Sequence, residues 1–190
     1  MTLAFDMVAD MVAEWELSEP VRTDAGMFAI WQPERFGAIT DFESWEDEVS
    51  EDAALLRHID AGAFVPIYIG GDGAFQFAVR GGQTRPGLTD REQRYRLVSS
   101  EPYLFVSRGS ARLGGLEAVG WDDGDFVALP LPPGRYAVHV HLIEWNAEPG
   151  AAGPDGKPTA NALPDFVIEI SNPVGAERFR TSLQTFERPS

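Results

Sequence analysis

From residue 63 onward, apolar and polar side chains alternate with a period of two, and turn residues interrupt the alternation every few positions. A period of two puts successive side chains on opposite faces of an extended chain, so this stretch reads as short, mainly antiparallel β-strands. The spacing predicts strands over residues 64–69, 74–80, 95–98, 103–107, 111–119, 126–129, 135–145 and 166–170. Between the first two stands Gly-Gly-Asp-Gly, residues 70–73, whose Asp-Gly step is a tight-turn signal, so 64–80 is expected to be a hairpin. Thr89 followed three positions later by Glu92 matches a capping box and starts a short helix. Residues 146–164 hold Gly, Pro and Ala but almost no large apolar residue, which reads as a long, mobile surface loop and a candidate lid.

The clearest helix spans roughly 45–60, with Ser44 as the expected N-cap and Trp45, Val49, Leu56 and Ile59 as the face that packs on the sheet. Its charges follow the helix dipole: acids crowd the first turns, Arg57 and His58 sit in the last, and Gly62 is placed to end it. A short N-terminal helix over 3–15 is suggested by Phe5, Val8, Val12 and Trp15, although 14–17 and 27–31 also read as β. The expected fold is mainly β, α+β at the margin: an antiparallel β-sandwich or open barrel carrying one acidic helix. A chain of 190 residues accommodates this as a single domain, an acidic part over 1–62 followed by a β core over 63–171.

Charge narrows the partners. Thirty acidic and fifteen basic residues leave a formal charge of −15, which repels phosphate backbones and anionic lipid, so neither nucleic acid nor a membrane surface is an expected partner. Fifteen acids and three arginines in residues 1–60 give −12, whereas fifteen acids and twelve bases in 61–190 give −3. The acidity is therefore concentrated in one third of the chain. No apolar run approaches the about 18 residues of a membrane span, and acids at 6, 10 and 14 stand where a secretory leader needs positive charge, so a cytoplasmic protein is expected. With no cysteine, thiolate metal sites and cysteine nucleophiles are excluded.

Chemistry has one focus. Along residues 135–145, His139 and His141 share a face with Trp145, about 7 Å apart along the strand, a spacing that suits metal chelation. Gly134, His139, His141 and Glu144 resemble the metal-binding strand of the cupin family, which would imply a metal-dependent or small-molecule enzyme. The spacing departs from that pattern, and on a regular strand Glu144 faces away from both imidazoles. The alternative is two histidines on the solvent face of a sheet. Ser99, Ser100 and Ser107 lie in no Gly-x-Ser-x-Gly elbow, and no spacing connects them to a histidine. Asp122, Asp123 and Asp125 are explained by turn chemistry without an ion.

Several phrases together are similar to a group of bacterial proteins that includes immunity and antitoxin proteins of contact-dependent toxin systems: Val-Pro-Ile with its Asp-Gly turn (65–73), Ser-Glu-Pro-Tyr (100–106), Pro-Pro-Gly-Arg-Tyr (132–140) and the late strand 166–170. The resemblance implies a β-sandwich-like domain that binds another protein, without catalytic residues. The preferred expectation is thus a non-enzymatic, cofactor-free binding module that docks a basic protein through Glu43, Glu46, Asp47, Glu48, Glu51 and Asp52. The competing expectation is the enzyme built on His139 and His141. A third is self-association through an unpaired edge strand.

Overall fold

A computed structural model describes residues 13–189. Ten strands form two sheets, as the alternation requires. The larger sheet has the order β1 (Trp15–Thr23), β4 (Gly73–Gly82), β10 (Phe166–Ser171), β9 (Gly134–Ile143), β5 (Arg96–Ser99). The ten-residue β9 outruns β5, and its first half pairs instead with β6 (Tyr103–Ser107). The smaller sheet has the order β3 (Phe64–Tyr68), β2 (Met27–Trp31), β7 (Ala111–Gly115), β8 (Phe126–Leu129). The mainly β sandwich is therefore as expected, with one refinement: β10 lies parallel to β4, while the other pairs are antiparallel.

The sheets face one another through aromatic rings. Phe28 of β2 meets Phe77 of β4 edge-on at 5.0 Å, and Phe77 stacks on Phe166 of β10 at 4.9 Å. Phe75 and Phe186 complete the group, and Phe28, Phe77, Phe166 and Phe186 are fully buried. Quadrupole-favoured edge and offset contacts add to the area buried, so this cluster links the two sheets directly.

The expected hairpin over 64–80 does not form. β3 pairs with β2 and β4 pairs with β1, so residues 69–72 carry the chain from one sheet to the other. The reason is burial. Phe64, Val65, Pro66 and Ile67 are buried on both faces of β3, a demand that an exposed hairpin arm cannot meet. Residues 24–26 cross in the opposite direction, and the Gly26 carbonyl accepts from the amides of Ile69 and Gly70, which ties the two crossings together. Pro66, lacking an N–H, is tolerated because β3 is an edge strand.

Other boundaries shift for local reasons. The strand expected over 111–119 stops at Gly115 and a 3-10 turn (Leu116–Ala118) follows. The Thr89/Glu92 capping box is present and starts α3 (Asp90–Arg94). The N-terminal helix expected over 3–15 falls largely outside the described residues, and Trp15 opens β1. Its indole lies across Gly81, where any Cβ would stand 2.2 Å from the ring, so the strand is left bare to seat it.

Residues 146–164 are a strap packed on the outer face of the larger sheet. Ala151 and Leu163 are buried, and Leu163 joins Ala78, Ile143 and Val167 in a second apolar layer. Among the described residues no helix is long and apolar enough to cross a membrane.

Removing the ring at the centre of the aromatic cluster should be costly. Phe77→Ala is expected to lower unfolding free energy by about 3–5 kcal/mol in urea titrations, whereas Phe77→Leu should lose markedly less. Equal losses for both would show that the ring itself, and not the volume it fills, is what the core loses.

Candidate functional site

The acidic segment is built differently from a single amphipathic helix. Asp41, not Ser44, is the N-cap: its carboxylate accepts from the Ser44 amide at 2.8 Å and the Ser44 hydroxyl at 2.7 Å, while the Asp41 amide donates back to Ser44 Oγ at 3.1 Å. The Ser44 hydroxyl, then its amide, hold Asp41 below the usual carboxylate range. One α turn, α1 (Phe42–Trp45), widens into a π turn (Glu46–Ser50), and extended backbone at Glu51 interrupts the helix before α2 (Asp52–Asp60). The interruption resets the helical phase. Leu55 is therefore buried and the expected Leu56 is 40% exposed, while Val49 and Ile59 pack as expected and Trp45 does so only in part. Gly62, at φ +70°, closes α2 with its amide on the Ile59 carbonyl and that of Ala63 on His58.

His58 pins this segment from below. Its ring is buried against Phe36, Nδ1 accepts from Arg35 Nε at 3.4 Å, and Nε2 meets Glu48 Oε2 at 2.7 Å. Burial pushes His58 below its ordinary pKa, and the Glu48 contact opposes that shift. Glu48 is thereby turned inward. Glu43, Glu46, Asp47, Glu51 and Asp52, together with Asp41, are exposed. None of these six holds an ion pair among the described residues, whereas Glu92, Glu169, Glu148 and Asp165 each hold an arginine.

The histidine strand is buried on both faces, so His139 and His141 are not on a solvent face: they are 7% and 1% exposed. They lie on the outer face of the larger sheet, beneath residues that follow β4. Ser99 Oγ is 2.7 Å from His141 Nδ1, and Glu169 Oε2 is 3.0 Å from His141 Nε2. In the tautomer that satisfies both, Ser99 donates to Nδ1 and Nε2–H donates to the carboxylate. Arg85 Nε donates to the same Glu169 oxygen at 2.6 Å. Burial alone would raise the Glu169 pKa, but the bonds from His141 and Arg85 outweigh it and hold the carboxyl near 2. His139 sits opposite Glu169 in the strand register, and burial first, then the Arg85 charge, lowers its pKa to about 4.

Glu144 and Trp145 belong elsewhere. Glu144 stands 3.4 Å from Arg188, and Trp145 donates its indole N–H to Asp165 at 2.9 Å. Trp145 lines a cleft of about 530 Å³ between the strap and the edge of the larger sheet, together with Arg80, Gln76 and Asp165, but neither histidine lines it. The cupin-like donor set does not fit a metal. Both nitrogens of His141 are committed, Glu144 is absent from the group, and the Arg85 guanidinium already supplies the cation. Among the described residues no three metal-ligating side chains converge.

Glu169 and Arg85 are the residues that sequence reasoning missed, and Ser99, for which no spacing pointed to a histidine, is nonetheless hydrogen-bonded to His141. Ser99 and Arg85 give no signal, since they reach His141 from 42 and 56 positions away. Glu169 does give one: a lone carboxylate inside the apolar strand Phe-Val-Ile-Glu-Ile implies a buried partner.

No protein-family description and no curated protein sequence matches the chain. Two solved structures are similar in fold. A protein described as crocagin biosynthetic gene J aligns with TM-score 0.56 at 15% identity, covering 84% of this chain and 98% of that one. ComJ from Bacillus subtilis, described as an inhibitor of the DNA-degrading activity of NucA, aligns with TM-score 0.51 at 9% identity, covering 85% and 98%. At these identities the likeness is one of fold.

The buried histidine makes stability depend on acid. The unfolded chain protonates His139 near pH 6.5 and the folded chain only near 4, so its contribution is full above pH 6.5 and falls by up to about 3 kcal/mol by pH 4. Glu169 acts in the same direction lower down, losing its contribution as pH falls from 4.5 towards 2. His139→Gln is expected to flatten the pH 7 to 4 limb of urea-derived stability. Parallel curves for the two proteins would assign the acid sensitivity to other groups.

Proposed function

We propose that this chain is a non-enzymatic binding module of the inhibitor or immunity kind, which docks a basic protein partner through the acidic face at residues 41–52. The observation that carries the reading is the unpaired charge. Seven acids and no base occupy those twelve positions, and six of the carboxylates point to solvent without an arginine, in a molecule that neutralises many of its other acids internally. Like charges so crowded repel one another and cost stability. Such a face complements and steers a basic surface, and proteins that bind nucleic acid present basic surfaces to the phosphates. The fold shared with ComJ, itself described as an inhibitor of a nuclease, favours this reading over an enzyme.

Titration of the protein into a panel of purified basic nucleases, with DNA and RNA degradation as readout, tests it. At least one nuclease should be inhibited in proportion to added protein, the association rate should fall steeply with salt, and Glu46→Lys with Asp47→Lys and Glu51→Lys should abolish inhibition. The neutral triple variant Glu46→Gln, Asp47→Asn, Glu51→Gln should melt slightly higher than the parent at low salt while inhibiting less. Binding that ignores both salt and charge reversal would refute the acidic face as the docking surface.

A further inference from the structure

Within residues 41–52 one large apolar side chain faces water. Phe42 is 67% exposed, and its ring stacks on Trp45 with centroids 5.7 Å apart and planes inclined by 16°. Trp45 packs in turn against the core, so the Phe42 ring is the outermost leaf of a continuous apolar column. Its position is fixed by the Asp41/Ser44 capping box that brackets it, and by buried Val49 and the Glu48–His58 contact in the π turn that follows. A phenylalanine held in water forgoes the free energy of burying its ring, and here it is the first residue of the acidic helix, flanked by Asp41, Glu43 and Glu46.

We propose that the Phe42–Trp45 stack is the apolar anchor of the docking face and seats in a recess rimmed by arginine or lysine on a basic protein partner. This rests on the reading of the acidic face given above and adds where the binding energy lies. Interfaces concentrate energy in a few aromatic side chains surrounded by polar groups that exclude water, and charges at the rim mainly set association rate. The stack and its ring of carboxylates have that layout. An arginine entering over the Phe42 ring would meet both its negative face and the neighbouring carboxylates. The chain already makes such a contact internally, where the Arg112 guanidinium lies 4.2 Å above the Phe126 ring. A second copy is a poor occupant, because two such faces would bring six unpaired, exposed acids against six.

The test places photo-cross-linking p-benzoylphenylalanine at position 42 of the full chain, and at Val174, which is 77% exposed, as the control. Irradiation in cells should join position 42, and not 174, to a strongly basic protein. With that protein purified, Phe42→Ala should raise Kd at least tenfold mainly through faster dissociation, with the salt dependence unchanged, and Phe42→Leu should raise it less. The charge-reversed triple variant should instead slow association. If charge reversal abolishes binding while Phe42→Ala leaves Kd within twofold, the anchor is wrong and the acidic face stands. If neither matters, both are wrong. Cross-linking only to a second copy, to an acidic protein, or to nothing also overturns the anchor.

Discussion

The contact of Phe28 with Phe77 and Phe166 is the interaction on which the rest of the structure depends, because it joins sheets that exchange few backbone hydrogen bonds. Each sheet alone has an apolar face that must be covered. The aromatic group covers both at once and sets the spacing across which the chain passes from β1 to β2 and from β3 to β4. The acidic segment is mounted on the same core through Val49, Leu55 and Ile59, so its exposed carboxylates are presented by a fixed platform.

Electrostatics divides the molecule into two regimes. On the outer face of the larger sheet the carboxylates are buried and paired: Arg80 holds Glu92 with two bonds, and the half-exposed Arg85 holds Glu169 above His141. Removing one member of such a group leaves an uncompensated charge in a low dielectric, which is far more costly than the intact group is stabilising. On the acidic segment the charges are solvated, unpaired and free to act at a distance. The first arrangement specifies structure, and the second is available to a partner.

The fold class was legible because alternation is a local property, and β6, β8 and β10 fall where the period of two places them. Pairing was not legible. The Asp-Gly step at 72–73 announces a turn but says nothing of which strands flank it, and the demand of Phe64 to Ile67 for burial on both faces decided the matter from elsewhere in the chain. In the helix, the π turn and the break at Glu51 shifted the phase by one position, so Leu55 and not Leu56 met the core; no periodic template contains such an insertion. His139 and His141 were rightly placed on one face, yet that face was read as wet because the strap and the residues after β4 that cover it are themselves polar or small. Their partners arrive from distant strands, where spacing carries no information.

The tie between Gly26 and the amides of Ile69 and Gly70 shortens the loop that the β1–β4 ladder has to close. Thr23 and Gly73 end the β1–β4 ladder but stand fifty positions apart, so closing that ladder directly means fixing a long, floppy loop. Once β2 and β3 have zipped, the two crossings are already side by side and the outer ladder needs to close only a few residues. The first four strands form a nested parenthesis, in which the β2–β3 pair sits inside the β1–β4 ladder.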